Sequence, residues 1–132
     1  MTEKISVTLN VTELGQVDYL VERGLYNSRS DFMRLAMRKT LEEHKNELEQ
    51  FLNEGQDEKE GVHRIFVLGI TNLTKKTVIR MLDRGQRLHV RLVGALFVDK
   101  DITAEEIRKL QPDVRVIGKV IAEDDVKKAL GV

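Results

Sequence analysis

No cysteine and no tryptophan occur among the 132 residues, proline appears once, and aromatic residues make up only 5% of the chain. Without cysteine there is no disulfide framework, no thiolate nucleophile and no thiolate metal ligand. Charge of one sign is also missing, because 22 Lys and Arg balance 22 Asp and Glu. The longest nearly unbroken apolar stretch, Leu92 to Val98, falls far short of the roughly 20 residues that span a bilayer. Met1-Thr2-Glu3-Lys4 leads into an alternating segment and not into an apolar h-region, so no signal peptide is expected and a cytoplasmic location follows. With 41% hydrophobic and 33% charged residues, the composition is that of a helix-rich soluble protein of one ordinary or two small domains.

The zero net charge is an average over unlike segments. Residues 1–45 carry seven basic and seven acidic groups, residues 46–61 one Lys against six acids, and residues 62–132 fourteen basic against nine acidic. The acidic block in the middle masks a basic C-terminal half. Overall neutrality therefore excludes no polyanionic partner.

Lys4 to Asn10 alternates, with Ile5, Val7 and Leu9 on one face and Lys4, Ser6 and Thr8 on the other. That period of two, in β-branched residues, predicts a half-buried strand. Asn10 with Glu13 forms a capping-box signature, and Leu14, Val17, Leu20 and Val21 supply the apolar stripe of a helix that Gly24 ends. A second capping box, Ser28 with Asp31, starts a helix with Phe32, Met33, Ala36, Met37, Thr40 and Leu41 on its inner side. Helical spacing continues through Leu48, Phe51 and Leu52, which predicts one extended second helix. Asn53 to Gly61 holds two glycines, four acids and no apolar period, and reads as an acidic linker.

The remainder repeats weakly. Ile65-Phe66-Val67-Leu68-Gly69-Ile70, Val90-Arg91-Leu92-Val93-Gly94-Ala95-Leu96 and Val114-Arg115-Val116-Ile117-Gly118-Lys119-Val120 are each followed by a short helical pattern. The glycines lie 25 and 24 residues apart. Such a period fits βα solenoid units with parallel strands, and a glycine in one register implies a column of close approach. A compact α+β sandwich is the alternative. The expected fold class is thus α+β: a helical domain opened by a strand over 1–52, a linker over 53–61 and a βα-repeat domain over 62–132.

A lone seven-residue strand is not stable without a neighbour, and the first 45 residues offer none. A second copy of the chain resolves this, with the two strands antiparallel across a two-fold axis and four helices beneath. At this size one subunit buries too little surface to fold alone, so folding and dimerisation become one event. Lys4, Ser6 and Thr8 of both copies then line the outer face of a ribbon that fits the major groove of B-DNA, where they meet base edges. The start of the second helix, Ser28-Arg29-Ser30, presents free backbone N–H groups to phosphate.

Residues 4–45 resemble the ribbon-helix-helix DNA-binding family of the MetJ/Arc/CopG type. The features that carry the resemblance are Lys-Ile-Ser-Val-Thr-Leu-Asn over 4–10, Glu22-Arg23-Gly24-Leu25-Tyr26-Asn27-Ser28-Arg29-Ser30-Asp31-Phe32, and Met33-Arg34-Leu35-Ala36-Met37-Arg38. The resemblance implies base contacts from Lys4, Ser6 and Thr8 and phosphate contacts from Ser28, Arg29 and Ser30. The two-part layout is similar to that of nickel-responsive regulators, but their metal ligands are absent: there is no Cys, and His63 and His89 stand apart. No cofactor is expected.

Other features have plainer readings. Arg34 and Arg38 are expected to pair with Asp31 and Glu42 along the helix. Lys76, Arg80 and Arg84, with Arg87 and Arg91 beyond, form a basic stripe read as a solvated helix face rather than a second DNA surface. Gly69 to Lys76 echoes a phosphate loop but lacks its second glycine and final hydroxyl. Asp99/Asp101 and Asp124/Asp125 flank helix starts, where the macrodipole favours them. A Ca²⁺ or Mg²⁺ role for them would need converging ligands.

These observations point to a homodimeric, sequence-specific regulator of double-stranded DNA, a repressor, whose C-terminal domain sets a tetramer or higher assembly or answers an effector that no residue set identifies. Two alternatives stand beside it: the antitoxin of a toxin–antitoxin pair, and a structural adaptor that its N-terminal domain merely dimerises. No nucleophile–base pair, metal cluster or Gly-rich cofactor loop points to an enzyme.

Overall fold

Three apolar segments of similar length, each followed by a helix and each holding a glycine at a like place, stack in register as parallel strands. The computed structural model, which describes residues 1–55 and 60–132, has that arrangement. In chain order the elements are α1 (Val11–Glu22), α2 (Arg29–Glu43), α3 (Lys45–Leu52), β1 (Val62–Leu73), α4 (Lys75–Asp83), β2 (Arg87–Val98), α5 (Ala104–Lys109), β3 (Asp113–Ile121) and α6 (Asp124–Leu130). They divide into two units, Met1–Asn46 and Glu47–Val132. The class is α+β, with helices first and a parallel βα repeat after them.

In the second unit the strands run in the order β1-β2-β3. Rows cross the sheet in register: Ile65, Val90 and Val114, then Val67, Leu92 and Val116, then Leu96 with Val120, and Leu73 with Val98. These side chains meet Val78, Met81, Ile107, Leu110, Val126 and Leu130 of the helices in one core. The alternation of a strand therefore sends one face inward beneath α4, α5 and α6.

Gly69, Gly94 and Gly118 form one of these rows, each with φ of 138°. A Cβ on Gly94 would lie 2.0 Å from the Gly69 carbonyl oxygen, and one on Gly118 would lie 1.9 Å from that of Gly94. The close approach implied by the repeat is thus that of the neighbouring strand's own backbone. Gly69, on the edge strand, meets nothing within 4 Å.

Threonines cap the first two repeat helices, whereas α6 starts at Glu123 without a side-chain cap. Thr74 accepts from the Thr77 amide, and Thr103 forms a capping box with Glu106. Asp99, expected to serve the helix that follows it, instead turns back and accepts from the Lys75 amide at the start of α4 (3.1 Å). The parallel stacking places the end of each strand beside the previous helix start, which is why the acid serves the earlier repeat. Lys75 Nζ in turn donates to the Asp101 carbonyl (2.9 Å) and pairs with Glu106 (2.5 Å), whose carboxyl it holds below the usual range.

Two expectations about the middle of the chain differ from what is seen. The second helix does not run to Leu52, because His44 leaves helical geometry (φ −110°, ψ 16°) and α3 begins afresh at Lys45. The apolar positions beyond the break serve the second unit: the Phe51 ring lies 5.2 Å from the Arg115 guanidinium. The stretch read as a linker is also tied down at its start, while residues 56–59 of it lie outside the described residues. Glu54 accepts from Arg91 Nε (2.9 Å) and pairs with Arg115 (3.4 Å), and its carbonyl accepts from His89 Nε2 (2.7 Å).

His89 is therefore not isolated. It is 2% exposed, its Nδ1 lies 3.2 Å from Asp113, and Gly55 packs so closely on its ring that a Cβ there would approach to 2.6 Å. Burial alone would lower the Arg91 pKa, but hydrogen bonds to Asp113 and Glu54 hold it above its ordinary value. Those from Arg91 hold the Asp113 carboxyl below its ordinary value. A buried arginine with two carboxylate partners is satisfied, and removal of either partner would expose the remaining charge to a poor environment.

The glycine row yields a graded test. Gly94→Ala should cost on the order of 3 kcal/mol or more, since backbone strain and a backbone clash add. Gly69→Ala carries the strain alone, about 1–3 kcal/mol. Urea midpoints followed by circular dichroism should rank the two in that order.

Candidate nucleic-acid interface

Asn10 accepts from the Glu13 amide (2.7 Å) and starts α1 as its cap. The Glu13 carboxylate takes the Asn10 side-chain amide and not its backbone, so the expected box is only half formed. At the other end Gly24 (φ 78°) closes a Schellman turn, with Gly24 N–H donating to Val21 and Leu25 N–H to Leu20. Ser28 then caps α2 by accepting from the Asp31 amide (3.0 Å), while the Asp31 carboxylate reaches back to the Asn27 amide (3.0 Å). The turn between the helices is braced by Tyr26 edge-on to Phe32, with centroids 5.0 Å apart.

This turn sets the phosphate-facing candidates. Ser28, Arg29 and Ser30 all lie exposed at the α2 start, where the first amides of the helix have no intrahelical acceptor. The side chains have different partners. Ser28 is committed to the cap, and the Arg29 guanidinium forks onto Asp18 of α1 (Nε–Oδ1 2.8 Å, Nη2–Oδ2 2.9 Å). Hydrogen bonding to Asp18 raises the Arg29 pKa, and the same contact holds the Asp18 carboxyl below the usual range. Eleven residues separate the pair, so no helical spacing rule could reveal it.

Lys4, Ser6 and Thr8 are exposed, as are Ile5 (75%) and Val7 (72%) on the alternate side. The expected strand is not formed in the single chain, which places no second strand beside it for a ladder. Leu9 alone of the three apolar residues is partly covered. It lines a groove of about 250 Å³ with Val17, Leu20, Phe32 and Met33. The inner side expected of the second helix is likewise uncovered beyond Met33: Ala36, Met37, Thr40 and Leu41 are exposed. Among the described residues, Val17 is the only buried one in this unit.

Arg34 and Arg38 do not make the expected pairs. Asp31 is occupied at the cap, and Glu42 pairs with Lys45 (3.2 Å). In the second unit Lys76, Arg80 and Arg84 lie exposed on α4, whereas Arg91 of the same sequence stripe is sequestered with Glu54 and Asp113. Burial, then Arg80 and Arg84, push the His63 pKa down. The Gly69–Lys76 segment forms the end of β1 and the capped start of α4. Among the described residues there is no group of three or more His, Cys, Asp or Glu placed to hold a metal ion, and no helix long and apolar enough to cross a membrane.

The Ribbon-Helix-Helix transcriptional regulator family matches the chain over residues 1–127. The chain belongs to that family. The match spans the βα repeat as well as the first 46 residues. No curated protein and no solved structure matches the chain.

The tether between the helices of this regulator has a defined pH signature. Because the folded Asp18 pKa is depressed, its interaction with Arg29 is intact above the unfolded value of about 3.9 and is lost as pH falls through the lowered one. An NMR titration of the Asp18 carboxyl should show a midpoint below the ordinary range, and Arg29→Ala should return it there.

Proposed function

We propose that this regulator is a homodimeric, sequence-specific repressor that places a two-stranded antiparallel ribbon in the major groove of double-stranded DNA. The observation that carries the reading is the uncovered apolar side of the first unit. Ile5, Val7, Leu35, Met37 and Leu41 are all exposed in one copy, on a segment and a helix that bury nothing of their own. A second copy covers them, supplies the missing ladder partner for residues 4–10, and makes dimerisation inseparable from folding.

In that dimer Lys4, Ser6 and Thr8 face base edges, with short hydroxyls and one cation suited to donors and acceptors in the major groove. Ser28, Arg29 and Ser30 hold the flanking phosphate: two backbone amides and the helix dipole attract it, and Asp18 keeps the Arg29 guanidinium in place beside them. Affinity then arises from phosphate contacts, and sequence preference from the ribbon. The second unit serves assembly or effector response. The protein binds; nothing in the reading calls for catalysis.

Thr8→Ala should relax preference at one base step by roughly 1–3 kcal/mol. Arg29→Ala should weaken all duplexes about equally and flatten the salt dependence by about one unit. Gel-shift titrations against duplexes selected from a random pool read both, and indifference to both substitutions would remove the ribbon as the reading head. Val7→Asp should abolish dimer mass in sedimentation and the helical signal of the first unit together.

A further inference from the structure

The helices cover one face of the sheet, and the other is only half covered by the chain itself. At the end where the strands begin, the α3 residue Phe51 and the turn residue Glu54 lie over Arg91 and Arg115. In the same row Phe66, and beyond it Leu68 and Ile70 of β1 with Ile117 and Ile121 of β3, point away from the core and are between 38% and 63% exposed. A sheet face turned to water alternates to polar residues. Here the outward positions stay apolar, the pattern of parallel strands covered on both faces. The closing helix α6 packs on the opposite side, with Val126 and Leu130 in the core.

We infer that this open part of the outer face docks on the same face of a second copy of the chain. Five side chains of roughly 200 Å² each, about half exposed, present on the order of 500 Å² of apolar surface, so a pair buries about 1,000 Å², the lower bound of a stable interface. That is also the upper range of apolar patch a monomer leaves exposed. A self-complementary patch is what a two-fold interface requires, and the one charged outward residue among them, Lys119, sits on the edge strand, where its ammonium can reach water. The inference rests on reading the second unit as an assembly module. The ribbon supplies the means: two chains joined at one end hold their second units at high effective concentration, so a modest apolar contact suffices.

The absence of cysteine makes the test direct, since any introduced thiol is unique. In the full-length protein, Leu68→Cys and Ile117→Cys should form covalent pairs with a short bis-maleimide, and Ile79→Cys, exposed on α4, should not. Leu68→Asp, at a 63% exposed position that the fold tolerates, should weaken the self-association measured by sedimentation at least tenfold while leaving the base preference read at Thr8 unchanged. Cross-linking at Leu68 and Ile117 no faster than at Ile79, or sedimentation unmoved by Leu68→Asp, would overturn the inference. A cross-link from Leu68→Cys to a cysteine placed in the first unit would do so too, by assigning the cover to the chain's own helices. Loss of this pairing with sequence-specific binding intact leaves the ribbon reading standing. Pairing that persists while Thr8 and Arg29 prove indifferent leaves assembly without that reading.

Discussion

Both halves of this regulator leave apolar side chains in contact with water, and burial of such surface is the constraint on which the proposed assembly depends. In the first 46 residues the helices meet around a single buried valine, with Phe32 and Met33 closing one groove and Leu35, Met37 and Leu41 open beside it. Each exposed side chain of this size is worth roughly 1.5–3 kcal/mol on burial. Three of them together are comparable with the whole stability of a small domain, about 5–15 kcal/mol. Backbone chemistry adds the same demand, because residues 4–10 carry amides and carbonyls that only a partner strand can pair in a ladder.

The second unit meets the requirement differently. Its inner face is filled by its own helices, layer against layer, and the glycine row lets the three strands close up where any side chain would strike a neighbouring carbonyl. Its outer face is sealed at one end by charge rather than by apolar packing. Arg91 is nearly buried yet fully engaged, with Glu54 and Asp113 on either side and His89 stacked beneath the Gly55 turn. That network fastens the end of α3 to the sheet within the second unit.

Function follows from what these arrangements leave free. The caps at Asn10 and Ser28 and the Schellman turn at Gly24 hold α1 and α2 at a set approach. The Asp18–Arg29 fork then fixes a cation beside the amides of the α2 start. In the proposed reading phosphate attraction is thereby built into rigid backbone, whereas the exposed residues at 4, 6 and 8 become ordered only when the ribbon forms. On that reading, separating the anchoring groups from the reading groups lets sequence preference change without loss of general affinity.

Much of this was legible along the chain. The capping residues, Gly24 and the three glycines at near-equal spacing each express a local rule, whereas the period of two over 4–10 forms no strand in the single chain. What escaped were relations between residues far apart in sequence. Asp18 with Arg29, Asp99 turned back to Lys75, and Glu54 reaching Arg91 all depend on how elements pack. The break at His44 was hidden because helical spacing continues across it, although the apolar residues on its two sides belong to different units. The sequence by itself determined the first two helix starts, the parallel repeat and the family, because periodicity, caps and glycine positions act over a few residues. Only the tertiary structure decided which charges are satisfied and which apolar faces stay bare, because burial and pairing depend on what each surface meets in three dimensions.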